Sequence, residues 1–158
     1  MSGIMSLKIL LKKVIINKEK LMKKHINVAA AVFIKNGRLF SAQRANRGVT
    51  AKKWEFPGGK VEKDEESSTT IVRAIKEEMD TDISVIKPLI TVNHEYPTFN
   101  ITMTAFLCKI DKGALTLSEH LDSKWLKANE IMTIDWAEAD IPIAKYIQES
   151  WDDLCKNN

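Results

Sequence analysis

The stretch "EFPGGKVEKDEESSTTIVRAIKEEMD", residues 55–80, decides how the chain folds. Its second half carries Ile71, Ile75 and Met79 at four-residue steps, which places them on one face of a helix. Ser67 or Ser68 offers a side-chain oxygen for the N-cap, so a helix over 67–79 is expected. Arg73 and Glu77 are neighbours on that helix, and Glu78 is turned by about 100° from Glu77. Ahead of it, Gly58-Gly59 lets a ligand come close to bare backbone, although such a pair also reads as a plain turn. Adjacent carboxylates repel unless a cation lies between them. Hard oxygen ligands suit Mg²⁺ or Mn²⁺, which commonly bridge to substrate phosphates. Taken alone, Glu77 and Glu78 also read as a solvated helix face.

Outward from this stretch, "INVAAAVFI" (26–34) reads as a buried strand and "RLFSAQR" as its return. Between them "KNGR" is a two-residue hairpin turn, because Asn-Gly accepts the positive φ angles of type I′. Residues 45–53 are a polar loop leading into "WEF". Downstream, "ISVIKPLITVNHEY" and "NITMTAFLCKI" are β-rich runs joined by "PTF", and a shorter strand ends at Trp125. From Ala139 to Leu154, apolar Ile143, Ala144, Ile147, Trp151 and Leu154 recur at helical spacing. The order β-rich, helix, β-rich, helix predicts an α/β fold, a mixed sheet held between helices.

A chain of 158 residues suits one domain that buries about two thirds of its unfolded surface. Its composition, 44% hydrophobic and 28% charged, is that of a soluble globular protein. No apolar run approaches the roughly 20 residues that span a bilayer, which argues against an integral membrane protein. The net charge of +3 is unevenly placed: residues 1–24 hold seven Lys against one Glu, leaving 17 basic and 20 acidic residues in the rest. Such a body lacks the basic stripe that duplex nucleic acid requires. Residues 1–24 are expected to be a poorly ordered basic extension, with an amphipathic surface helix as the alternative, and the domain to begin near Met22. No small-residue cleavage site follows, as a secretory signal would need. Cys108, in an apolar run, reads as a buried thiol with no metal-like spacing to Cys155, which fits a reducing cytoplasm.

The spacing over 59–81 resembles the Nudix box, G-x5-E-x7-R-E-U-x-E-E-x-G-U with U a bulky apolar residue. Gly59, Glu65, Arg73, Ile75, Glu77 and Glu78 fall in place. Ala74 stands for a Glu, Asp80 for a Gly and Thr81 for the final apolar residue. Asp80 still tolerates the left-handed turn at a helix end. The likeness covers roughly 25–150. "AQR…WEFPGGKVE", "EH" before Trp125 and "ADIP" at 139–142 resemble the branch of MutT-type 8-oxo-dGTP diphosphatases and CTP pyrophosphohydrolases.

That resemblance implies a Nudix α/β/α sandwich over residues 25–155. It also implies Mg²⁺-dependent hydrolysis of a nucleoside triphosphate to a monophosphate and pyrophosphate, by a cytoplasmic monomer or homodimer that engages neither duplex nucleic acid nor membrane. In it, the Gly59 carbonyl, Glu77 and Glu78 would hold the metal (Mn²⁺ could substitute), Arg73 with Glu65 would orient the carboxylates, and Glu119 would complete the metal site or act as general base. Arg44 would hold a phosphate, with Gly58 and Lys60 nearby, and Asp140 would read the base. Each has a plainer alternative: Glu119 as a loop residue, Arg44 as an exposed strand end, Asp140 as the N-cap of the last helix. Tyr96 and Phe99 stack on a base or anchor a turn. His94 and His120 read as surface or hydrogen-bonding residues.

Position 74 lies one helical turn before Glu77 and Glu78, so a Glu there would point into the same cluster. Its loss leaves two implications: a disabled hydrolase, or one in which Glu119, Glu77 and Glu78 suffice. A binding module without turnover is a further reading. So is an ADP-ribose hydrolase, since Pro97 lies sixteen residues past the box.

Overall fold

Strand β1 (Lys24–Lys35) carries the "VAAAVFI" run and is buried on both faces from Ala29 to Ile34. Its alternate residues serve two cores. Val28, Ala30, Val32 and Ile34 face one; Ala29, Ala31 and Phe33 face the other. The computed structural model describes residues 2–21 and 23–156.

The Asn36-Gly37 turn has both residues at positive φ, 53° and 69°, and returns the chain as β2 (Arg38–Gln43), as the type I′ expectation required. Short strands β3 (Trp54–Glu55) and β4 (Gly58–Lys60) follow, then helix α2 (Ser67–Met79), β5 (Asp82–Glu95), β6 (Phe99–Lys112) and β7 (Asp122–Leu126). The sheet runs β3-β2-β1-β6-β5, with β4 also on β1 and β7 also on β2. β1 and β6 are parallel and the remaining strand pairs antiparallel, so the sheet is mixed as expected.

Helix α2 covers one face. Ile71, Ile75 and Met79 are fully buried against β1 residues, each worth about 1.5–3 kcal/mol of apolar burial. Its bounds match the sequence expectation, but its cap does not. Glu66, not Ser67 or Ser68, is the N-cap, and it caps through its backbone carbonyl, which accepts from the N–H groups of Thr69 and Thr70. At the other end Asp80 adopts the left-handed conformation, φ 47° and ψ 47°, expected of the box glycine it replaces.

The C-terminal segment covers the opposite face, completing the α/β/α sandwich, but as three pieces rather than one helix over 139–154. A 3-10 turn at Glu138–Asp140 leads into α3 (Ile141–Glu149), and α4 (Trp151–Cys155) follows. Ser150, at φ −102° and ψ 14°, breaks the run without disturbing the burial of Ile143, Ala144, Ile147 and Leu154.

Residues 2–21, expected to be poorly ordered, instead form helix α1 (Ser2–Leu21). Its Leu, Ile and Lys residues are helix-compatible and no proline interrupts it. The described side chains, residues 6–18, are exposed. Met22, the expected start of the domain, lies outside the described residues. No helix among the described residues is long and apolar enough to cross a membrane.

Candidate active site

A cleft of about 660 Å³ opens where β1, β4, α2 and the 119–120 loop meet. Arg44, Gly58, Gly59, Lys60, Arg73, Ala74, Glu78, Tyr96, Phe99, Glu119 and Asp140 all line it. Of the residues expected at the site, Glu65 and Glu77 are not part of its lining; both carboxylates are turned to Arg73.

The floor near the box is made by backbone. Gly58 and Gly59 pair with Ala30 and Ala29 of β1, so closely that a Cβ on Gly58 would lie 1.9 Å from the Ala29 carbonyl oxygen. A Cβ on Gly59 would lie 2.7 Å from the Cβ of Ala74, which is itself buried. The glycines are therefore needed for packing as well as for ligand access.

Arg73 organises the start of the site. Its Nε and Nη2 donate to the two oxygens of Glu65, its Nη1 to Glu77 at 3.1 Å, and its Nη2 also to the Lys60 carbonyl at 3.1 Å. The Arg73 hydrogen bonds, helped by the Thr70 hydroxyl, hold the Glu65 carboxyl down at about 2. Glu65 and Arg73 thus tie the 60–65 loop to α2.

Glu78 faces the cleft. Burial raises its pKa, and the neighbouring charge of Glu119 raises it further, with smaller contributions from Glu55 and Glu77 and opposition from His120. Among the described residues, no three acidic, His or Cys side chains converge tightly enough to hold an ion by themselves. Two carboxylates near one another, Glu78 and Glu119, beside a bare glycine backbone, are nonetheless the hard-oxygen donor set that suits a divalent cation sharing its remaining positions with phosphate and water. Glu78, Glu119 and Gly59 fit that group, whereas Glu77 is engaged by Arg73.

Glu55, quoted in the sequence but given no role there, is the acidic residue that sequence reasoning missed. One of its oxygens accepts from Arg44 Nη1 at 2.8 Å and the other lies 2.8 Å from His120 Nε2. His120 is accordingly tucked in, its side chain 10% exposed. No local pattern marks this trio, because its members sit just after β2, on β3 and on a loop 65 residues beyond Glu55. Burial acts to lower the Arg44 pKa, but the Glu55 charge and hydrogen bond outweigh it, and the guanidinium stays firmly charged. Arg44 Nε is buried with no hydrogen-bond partner among the described residues.

At the far end of the cleft Asp140 is 2% exposed. It stands at the N-cap position of α3, as the plainer alternative had it, but makes no side-chain cap; its Oδ1 accepts instead from the Phe56 N–H at 3.0 Å. Burial and the charge of Glu55 push its pKa well above the carboxylate range, against the pull of Phe56 N–H and Arg44. Tyr96 accepts from the Ala139 N–H at 2.9 Å and stands 4.9 Å from the Phe99 ring, so the two aromatics anchor the β5–β6 turn and also face the cleft. His94 is 3.0 Å from Glu138 and outside the cleft.

A family profile described as the NUDIX domain matches residues 28–146. The chain is 32% identical over 120 residues to the CTP pyrophosphohydrolase of Escherichia coli K12, covering 76% of this chain and 89% of that protein. It is 37% identical over 95 residues to the 8-oxo-dGTP diphosphatase of Proteus vulgaris, covering 60% and 85%. Among solved structures, the MutT protein of methicillin-resistant Staphylococcus aureus 252, a Nudix hydrolase, superimposes with a TM-score of 0.69 at 40% identity, covering 82% of this chain and 99% of that one.

Proposed function

This chain belongs to the Nudix domain family, and on that premise we propose that it is a Mg²⁺-dependent pyrophosphohydrolase of cytosine or oxidised guanine nucleoside triphosphates, acting in the cytoplasm. The observation that carries this reading is a single cleft holding the box carboxylate Glu78, the loop carboxylate Glu119, Arg44 and the buried Asp140 together. The related proteins include a CTP pyrophosphohydrolase and an 8-oxo-dGTP diphosphatase, which supports the same two substrate classes.

Residue by residue, the base would lie against the Tyr96–Phe99 pair and meet Asp140, whose second oxygen is left to accept from amino or ring N–H groups. The Arg44 guanidinium, held by Glu55 through Nη1 and lining the cleft, would meet a phosphate oxygen with its remaining terminal N–H groups. Glu78, Glu119 and the Gly59 carbonyl would hold the cation, which would supply neutralisation of the phosphate oxygens. A carboxylate, with Glu119 the leading candidate, takes a proton from the attacking water. The oxygen adds to phosphorus as the bond to pyrophosphate breaks.

Ala74 favours a second reading, a nucleotide-binding module without turnover, because its methyl packs on Gly59 where the box Glu would present an oxygen. The test is pyrophosphate release with Mg²⁺ from 8-oxo-dGTP, dCTP, 5-methyl-dCTP and dGTP, by this chain and by Ala74→Glu. A missing catalytic carboxylate costs about 10²- to 10⁴-fold, so Ala74→Glu should turn over faster by that margin on the preferred base. Equal rates would make position 74 dispensable. No turnover by either, with nucleotide still bound, would replace the enzyme reading with the binding module.

A further inference from the structure

Helix ends leave carbonyls without intrahelical partners, and at the end of α2 those carbonyls are taken by the loop that carries Glu119. The Thr116 N–H donates to the Met79 carbonyl at 3.0 Å, and the Ser118 hydroxyl to the Glu78 carbonyl at 2.5 Å. Thr81, fully buried, donates its hydroxyl to the Met79 carbonyl at 2.8 Å and accepts from the Leu115 N–H at 2.9 Å. Gly113 lies against it so closely that a Cβ there would stand 2.9 Å from the Thr81 hydroxyl oxygen. Farther along, Leu121 N–H donates to the Gln43 carbonyl at 2.9 Å. Glu119 is thus strung between two fixed points, one of them the helix that presents Glu78.

Position 81 is where the box pattern places a bulky apolar residue. A Val would fill the same space, yet it would leave the Leu115 N–H buried and unpaired and let the loop lift from the helix. We propose that Thr81 and Ser118 are positioning residues that hold Glu119 beside Glu78, so that two carboxylates in fixed register serve a site from which Ala74 has removed a third. This rests on the reading that Glu78 and Glu119 bind the cation. Groups that orient metal ligands typically change metal affinity by about 10- to 100-fold when removed.

The experiment titrates Mg²⁺ by calorimetry, and Mn²⁺ by its spin-resonance signal, into the full chain and into Thr81→Val, Thr81→Ser, Ser118→Ala, Glu119→Gln and the double variant Thr81→Val/Glu119→Gln, with a melting temperature for each. Thr81→Val and Ser118→Ala should weaken binding about tenfold or more. Thr81→Ser should restore it. In the Glu119→Gln background, Thr81→Val should add nothing to the loss, an outcome that mere destabilisation does not produce. If Glu119→Gln loses affinity while Thr81→Val and Ser118→Ala bind as the parent does, the positioning role is wrong and the site reading stands. If Glu119→Gln itself binds as the parent does, the site reading fails first. Should Thr81→Val not fold, Ser118→Ala decides, because its side chain is exposed; parental affinity there overturns the proposal.

Discussion

Arg73 and Glu65 meet through two parallel contacts, Nε to Oε2 and Nη2 to Oε1, each 2.9 Å long. The fork geometry makes Arg the matched partner and Lys a poor substitute. With its pKa lowered from the ordinary 4.5 to about 2, Glu65 contributes stability that is whole above about pH 4.5 and is lost as pH falls towards 2. Glu65→Gln should therefore lower the urea midpoint at pH 7 and flatten its acid dependence over that window. Arg73→Lys should weaken the midpoint as well, despite keeping the charge.

Gly58→Ala should be the most damaging single methyl in the site. The added carbon falls 1.9 Å from the Ala29 carbonyl oxygen, which belongs to a central strand and cannot swing aside. Overpacking of this kind costs about 1–3 kcal/mol, and a backbone obstacle puts Gly58→Ala at the upper end. Urea unfolding measures it, and a change under 1 kcal/mol would show that β4 can slide on β1.

Asp140→Asn keeps an acceptor for the Phe56 N–H and removes a buried charge. Because the folded pKa is raised, Asp140 contributes most at pH values below its unfolded range and progressively less as pH rises through it. The Asn variant should therefore melt at the same temperature as the parent or higher at pH 7, with the advantage shrinking towards pH 4. It should also lose about 10- to 100-fold in kcat/KM on nucleotides that present two adjacent N–H donors, because one acceptor has become a donor. A variant that melts lower at pH 7 would show that the fold stabilises the charged carboxylate rather than disfavouring it.

Removing residues 1–21 should leave the melting temperature unchanged and improve solubility. Leu7, Leu10, Leu11, Val14 and Ile15 are all more than half exposed on α1. A loss of stability or of nucleotide turnover on truncation would show that α1 serves the domain.

Much of this was readable from local pattern, and the parts that were not share one cause. The Asn36-Gly37 turn and the 67–79 helix depend on neighbours in sequence, so φ preference and periodicity were enough to place them. Asp140 stands at the helix cap position that its setting before Pro142 suggests, but its side chain depends on Phe56, 84 positions away. Glu55 takes its meaning from His120, and Thr81, which reads as a lapse from the box, takes its own from Leu115. The break at Ser150 leaves the apolar spacing of the last helix intact, so periodicity runs straight through it.

The parallel pairing of β1 with β6 also has a consequence for biosynthesis. Lys24 lies opposite Phe99, and the ladder continues to Phe33 opposite Cys108, so each link spans 75 positions of chain. At about 5–20 residues per second, a ribosome takes roughly 4–15 s to supply the partner of a strand it has already released. Through that interval β1 can turn onto β2 and β4, but its other edge, in the run "VAAAVFI", offers unpaired amides and carbonyls to any passing strand. Nascent chains stalled near residue 95 should be held by chaperones or aggregate, and those stalled far enough past residue 112 for β6 to clear the exit tunnel should not.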